Sequence, residues 1–231
     1  MNVLPATDTA VKDRIGLFGG TFDPVHLGHL RAAEEIRETL DLSSVWFVPS
    51  AIPPHKHKEV TPSAHRLRML EIAVEPNPYF GINTYEIEKK STSYTIETLR
   101  HLTSAHPDAE FYFIVGNELF SHIETWKDYK ELFTLSNFAV ISRPGREGED
   151  FPPLPLALKK DFSYHNREDN VISYINRYSK IIALTRFTGL EISSTEIRTY
   201  VSEGTSVRYL VPDGVAEYIS ANKLYDTEAA L

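Results

Sequence analysis

Two imidazoles three residues apart, His26 and His29, stand with Gly28 between them in the run GGTFDPVHLGH, residues 19 to 29. Near a helix start that spacing points both rings the same way, where they can grip one phosphate. Two plainer readings stand beside this one: one ring caps the helix while the other is exposed, or the pair begins a zinc site, for which no third ligand lies near. Gly19 and Gly20 let backbone N–H groups approach a ligand closely, and a helix start beyond them favours an anion. The run has neither the GxGxxG spacing of a dinucleotide loop nor the Gly-Lys-Ser/Thr of a P-loop.

A second candidate anion site is ISSTEIR, residues 192–198. Ser193 and Glu196 have the Ser-x-x-Glu spacing of a capping box, which places Ser194 and Thr195 in a helix's first turn. The box alone is only a helix start. Arg198 adds a permanently charged fork beside backbone N–H groups, and pyrophosphate fits such an arrangement. In isolation Trp126 can be read as a helix-face core residue packing with Phe120 and Leu132. The HKHK run at 55–58 reads in isolation as a solvated loop.

These groups must be positioned by short β-branched and aromatic runs that alternate with longer helical patterns. Strands are expected at Arg14–Phe18, Val45–Val48, Phe80–Ile87, Glu110–Val115, Phe138–Ser142 and Ile181–Thr185. Helices are expected at Leu30–Leu40, with Leu30, Ala33, Ile36 and Leu40 on one face, at Ser63–Val74, with Leu67, Leu70 and Ile72 or Val74, and at Tyr94–Leu102 behind a Ser93 cap. Right-handed βαβ units of this kind give an α/β fold with a doubly wound, mainly parallel sheet, whose ligands sit beyond the carboxyl ends of the strands. A small C-terminal helical part follows, Thr195–Ser202 stopped by Gly204 and Gly214–Leu224 capped by Asp213 after Pro212. The expected organisation is a tail over 1–13, one domain over 14–225 with an elaboration at about 146–180, and a tail over 226–231.

With 231 residues, 42% of them hydrophobic, the chain can bury a sizeable core. Its net charge of −8 disfavours bulk attraction to nucleic acid or an anionic membrane, so a phosphate ligand must be held locally. With no cysteine there is no disulfide, thiolate zinc site or thiol nucleophile. No signal peptide and no run of about 18 apolar residues occurs, so the expected setting is cytoplasmic. None of this excludes a homo-oligomer.

The run at 19–29 resembles the signature of the nucleotidylyltransferase superfamily, whose HxGH pair binds the phosphates of ATP or CTP. The resemblance to the nicotinate-nucleotide adenylyltransferases extends through PPHK at 53–56, HRLRML at 65–70, SYTIETL at 93–99, RPG at 143–145, ISSTEIR at 192–198 and RYLVP at 208–212. It implies a Rossmann-like nucleotidylyltransferase fold. The implied reaction transfers the adenylyl group of ATP to nicotinic acid mononucleotide, yielding nicotinic acid adenine dinucleotide and pyrophosphate in NAD biosynthesis. His26 and His29 are the implied catalytic pair. Gly19, Gly20, Thr21 and Phe22, with Ser193, Ser194 and Arg198, are implied on ATP; Lys56, Thr95, Glu118, Trp126 and Arg143 are implied on the mononucleotide. Mg²⁺ is expected to arrive carried on ATP, since no clustered carboxylates form a dedicated cage.

The chain departs from the family pattern at two places. Asn117 and Glu118 stand where relatives carry x-Asp, which keeps the charge on a longer arm, and Ser91 and Thr92 stand where relatives commonly carry Gly-Pro. Three other readings are weighed. A sibling transferase acting on pantetheine phosphate or using CTP is opposed by Trp126, SYT and RYLVP. A class I aminoacyl-tRNA synthetase shares HLGH, but the chain is short, acidic and without the second, lysine-rich signature. A nucleotide sensor without catalysis is opposed by the intact His26, His29 and Arg198.

Overall fold

The computed structural model describes residues 13–51, 60–89, 92–142, 151–168 and 170–226. Eight strands form one sheet: β1 (Asp13–Gly20), β2 (Ser44–Pro49), β3 (Phe80–Ile82), β4 (Ala109–Gly116), β5 (Asn137–Ser142), β6 (Phe162–Glu168), β7 (Val171–Asn176) and β8 (Ile181–Arg186). Their spatial order is β3-β2-β1-β4-β5-β8-β7-β6. From β3 to β8 all neighbours are parallel, and the β6–β7 hairpin adds antiparallel to β8. The chain reverses its direction of travel across the sheet between β1 and β4, so the ligand crevice expected of such a fold lies beyond the carboxyl ends of those two strands.

The strand residues alternate between two cores. Ile15, Leu17, Phe111, Phe113 and Val115 pack on one face with α4 (Thr95–Ala105) and α6 (Tyr129–Leu135). Val45, Phe47, Tyr112 and Ile114 pack on the other with α1 (Leu27–Thr39), α2 (Ser63–Val74), α7 (Ser194–Ser202) and α8 (Asp213–Ala221). Both faces of the central strands are thus covered by crossover helices, which is why these strands read as nearly continuous apolar runs.

Several boundaries differ from expectation. β3 stops at Ile82, and residues to Lys89 form α3 (Tyr85–Lys89) rather than more strand. The Asn83 side chain accepts the Tyr85 N–H at 3.2 Å, a local turn that ends the strand and starts the helix. α1 begins three residues before the expected Leu30. Ser93 does not cap α4; the N-cap position is Tyr94, without a side-chain bond. Likewise Pro212 occupies the N-cap of α8 and Asp213 lies inside its first turn. In α2 the fully buried face is Arg66, Met69, Leu70, Ala73 and Val74, with Leu67 only half-buried.

Within the segment read as an elaboration, an irregular stretch over 151–155 and turns over 156–161 bury Phe151, Leu154 and Leu158, and β6 and β7 extend the sheet. Only Phe162 is buried along β6, so its sequence lacks the apolar alternation that marks a strand.

Candidate active site

His26 is the N-cap of α1, and the two histidines cap each other. The His29 N–H donates to His26 Nδ1 and the His26 N–H donates to His29 Nδ1, both at 3.3 Å. The rings stack with centroids 3.6 Å apart and planes 24° apart. Because each Nδ1 accepts, the proton of a neutral ring sits on Nε2, so each imidazole is oriented as an Nε2–H donor. Gly28 lets the stack sit close to the backbone: a Cβ there would lie 3.0 Å from His26 Nδ1 and 3.1 Å from its Cε1, so the ring would have to give way slightly. His26 is buried and caps the helix, as the first of the plainer readings has it, but His29 is half-buried rather than exposed. His29 is further walled by the edges of Phe18 and Phe22.

The loop ahead of the pair leaves β1 at Gly19 and Gly20. A Cβ on Gly20 would fall 2.7 Å from the Phe22 ring, and one on Gly19 would fall 3.3 Å from Phe113 across the crevice. Phe22 adopts a left-handed backbone with φ of +51° and buries its ring against Phe18 and Phe47. Only its backbone can therefore face a ligand. Thr21 is half-buried, and its carbonyl is held from beneath.

That support is Arg66, a residue sequence reasoning missed. It is 1% exposed, and its guanidinium donates to the carbonyls of Thr61, Thr21, Ser50 and Ala51 at 2.7–3.0 Å. One planar cation thus ties the loop after β1 to the loop after β2. Burial pulls its pKa below the ordinary value, opposed by the nearby Asp23 carboxylate. The available signal was a charge at the i, i+3, i+4, i+7 positions of a buried stripe, Arg66-Met69-Leu70-Ala73.

Asp23, also missed, is 5% exposed. Its carboxylate accepts the Thr61 N–H at 3.2 Å and the Tyr225 hydroxyl at 2.8 Å. The Leu27 N–H at the start of α1 is satisfied by the Leu210 carbonyl at 2.9 Å, which gives the RYLVP segment its structural task.

The second candidate anion site is brought onto this loop. Ser193 is the N-cap of α7; its hydroxyl accepts the Glu196 N–H at 3.2 Å and donates to Glu196 Oε2 at 2.8 Å. Ser194 donates to the Pro24 carbonyl at 2.9 Å, and Arg198 donates through one terminal nitrogen to the Asp23 carbonyl at 2.6 Å. The start of α7, with Arg198, is therefore hydrogen-bonded to the residues just ahead of His26. Among the described residues no group of three or more His, Cys, Asp or Glu side chains converges as a metal site.

Across the crevice, β4 ends at Gly116, where a Cβ would meet Glu118 Oε2 at 3.1 Å; the exposed Glu118 folds back over it in the short helix α5 (Asn117–Phe120). Trp126 follows a single 3-10 turn, Ile123–Thr125, and meets Phe113 edge to face at 5.9 Å. It is half-buried against the core rather than part of a helix face. Phe113 thereby separates Trp126 from Gly19. Thr95 is the first residue of α4. Lys127 bonds Glu97 at 2.8 Å and lies 4.5 Å from the centre of the Tyr94 ring, joining the Trp126 turn to the α4 start. Lys56, with PPHK at 53–56, and Arg143 of RPG lie outside the described residues.

A doubly wound sheet with paired, mutually capped imidazoles at its switch point defines the class, a nucleotide-handling α/β transferase fold. Residues 17–200 match the family model described as Cytidylyltransferase-like. The chain belongs to that family and, within it, to the nicotinate-nucleotide adenylyltransferases. It is 43% identical over 215 residues to the protein named probable nicotinate-nucleotide adenylyltransferase of Geotalea daltonii, covering 92% of this chain and 98% of the relative. A relative of the same name from Geobacillus thermodenitrificans is 42% identical, covering 94% of this chain and 88% of its own. The solved Plasmodium falciparum nicotinic acid mononucleotide adenylyltransferase, complexed with NaAD, superposes with a TM-score of 0.67 over 92% of this chain and 97% of that one. At 22% identity that likeness speaks for the fold. Among the described residues no helix is long and apolar enough to cross a membrane.

Proposed function

We propose that this chain carries out its family's reaction, adenylyl transfer from ATP to nicotinic acid mononucleotide, by dividing the two substrates between the two walls of the crevice. The observation that carries the reading is the pair of hydrogen bonds from Ser194 and Arg198 to the Pro24 and Asp23 carbonyls, because they join both anion-binding elements beside His26.

ATP lies along the wall made by Gly19–Phe22, His26, His29 and the α7 start. Ser193, Ser194 and Arg198 take the β- and γ-phosphates, and the Nε2–H groups of His26 and His29 donate to the α-phosphate. The nucleophile is a phosphate oxygen of the mononucleotide, whose second pKa near 6 leaves it mostly dianionic at neutral pH. A new P–O bond forms at the α-phosphorus, the bond to the bridging oxygen breaks, and pyrophosphate leaves with its electron pair. No protein base is needed, so the protein's contribution is alignment and fixed donors for the charge that develops.

Nicotinic acid mononucleotide lies along the opposite wall, with its ring against Trp126, its carboxylate at the α4 start near Thr95, and Glu118 beside it; Lys56 and Arg143, outside the described residues, are assigned to it by the family resemblance alone. Mg²⁺ carried on ATP would neutralise phosphate charge along the ATP wall. The reaction is placed in the cytoplasm.

Purified protein mixed with MgATP and nicotinic acid mononucleotide is expected to release pyrophosphate, with a lower rate for the amidated mononucleotide run in parallel. No pyrophosphate with either acceptor would overturn the reading.

A further inference from the structure

Tyr225 stands 202 residues from Asp23 in the chain, yet their side chains are bonded at 2.8 Å. It lies just beyond α8 with a backbone φ of +67°, in the left-handed region that a bulky residue seldom occupies. The bend carries its ring onto the core beside α2 and α8 and its hydroxyl under the first loop. Burial first, and the adjacent Asp23 carboxylate second, push the phenol well above its ordinary pKa, so the hydroxyl remains a donor. Asp23 is the hub: one carboxylate oxygen takes Tyr225, the other takes the Thr61 N–H, and its own carbonyl takes Arg198 at 2.6 Å.

We propose that Tyr225 is a positioning residue for the triphosphate side of the site. Its hydroxyl fixes the Asp23 carboxylate, and Asp23 fixes the segment to which Arg198 and Ser194 are bonded and from which His26 extends. The inference rests on the assignment of that wall to ATP. It gives the C-terminal end of the fold a task in substrate binding, where packing alone would leave it a cover on the core.

Tyr225→Phe keeps the ring and removes only the hydroxyl. The expected result is a rise of about tenfold in KM for ATP, as loss of one hydrogen bond to a carboxylate permits, with KM for nicotinic acid mononucleotide changed less than about twofold. A chain ending at Asp226 keeps Tyr225 and is expected to match the full chain; one ending at Leu224 is expected to show the ATP defect. Calorimetric titration of ATP alone into Tyr225→Phe measures the same weakening without turnover, so a failure of the assigned reaction and a failure of this inference are told apart. ATP binding equal to that of the unaltered protein would overturn the proposal. So would a uniform loss for both substrates that tracks a lowered melting temperature, because that pattern belongs to packing.

Discussion

The loop that carries His26 and His29 is fastened by a buried guanidinium, whereas the turn that carries Trp126 is fastened at the surface. Arg66 makes four bonds to backbone carbonyls with almost no contact with water. Lys127, whose side chain is 44% exposed, reaches Glu97 and the face of Tyr94 in reach of solvent and salt. Buried donors on carbonyls are insensitive to ionic strength, and exposed ion pairs are screened by it. One wall of the crevice is therefore set when the chain folds, and the other can adjust. This division suits a reaction in which phosphate geometry must be fixed while a flat ring has only to be clasped.

The comparison can be broken at its strongest point first. Arg66→Met leaves four carbonyls without their donor and is expected to destabilise the fold by about 3 kcal/mol, read from denaturant unfolding. A loss below about 1 kcal/mol would mean that the loop does not depend on this side chain. His29→Ala removes the group proposed as a donor to the reacting phosphate and is expected to lower turnover by about 10²-fold with little change in melting temperature. Unchanged turnover would remove His29 from the reaction.

The adjustable wall should respond differently. Trp126→Ala is expected to raise KM for nicotinic acid mononucleotide about tenfold while KM for ATP holds, measured by varying each substrate in turn. Equal effects on both substrates would erase the distinction between the walls.

The smallest expected effect sharpens the same wall. Glu86 of α3 is half-buried and accepts the Thr98 hydroxyl at 2.7 Å; desolvation raises its pKa, opposed chiefly by that hydrogen bond. A carboxyl whose folded pKa lies above its unfolded one favours the fold at acid pH, and that contribution is lost as pH rises through the folded value. Glu86→Gln should therefore match the unaltered protein near pH 4 and melt at a higher temperature near pH 8. A melting difference independent of pH would show that burial of Glu86 is not what is being titrated.

The parts of the site that were legible in the sequence are those fixed within one or two turns of chain. The pairing of His26 with His29 follows from helix spacing, and the Ser193 cap from its spacing to Glu196. The start of α3 hid inside an apparent strand because Asn83 redirects the chain through a side-chain bond that apolar periodicity does not register. The β6–β7 hairpin was missed because an exposed edge strand buries too little to leave a pattern.

The sequence by itself determined the alternation of strands and crossover helices, the paired imidazoles, the Ser193-capped helix start and the family to which they belong. Only the tertiary structure decided that Arg66 lies beneath two loops, that Arg198 and Ser194 bond the loop of the histidines, and that Tyr225 closes on Asp23. The reason is one of range. Helix and strand periodicities relate residues a few positions apart, whereas a hydrogen bond between residues far apart in the chain exists only once the intervening elements have packed, and no local spacing records it.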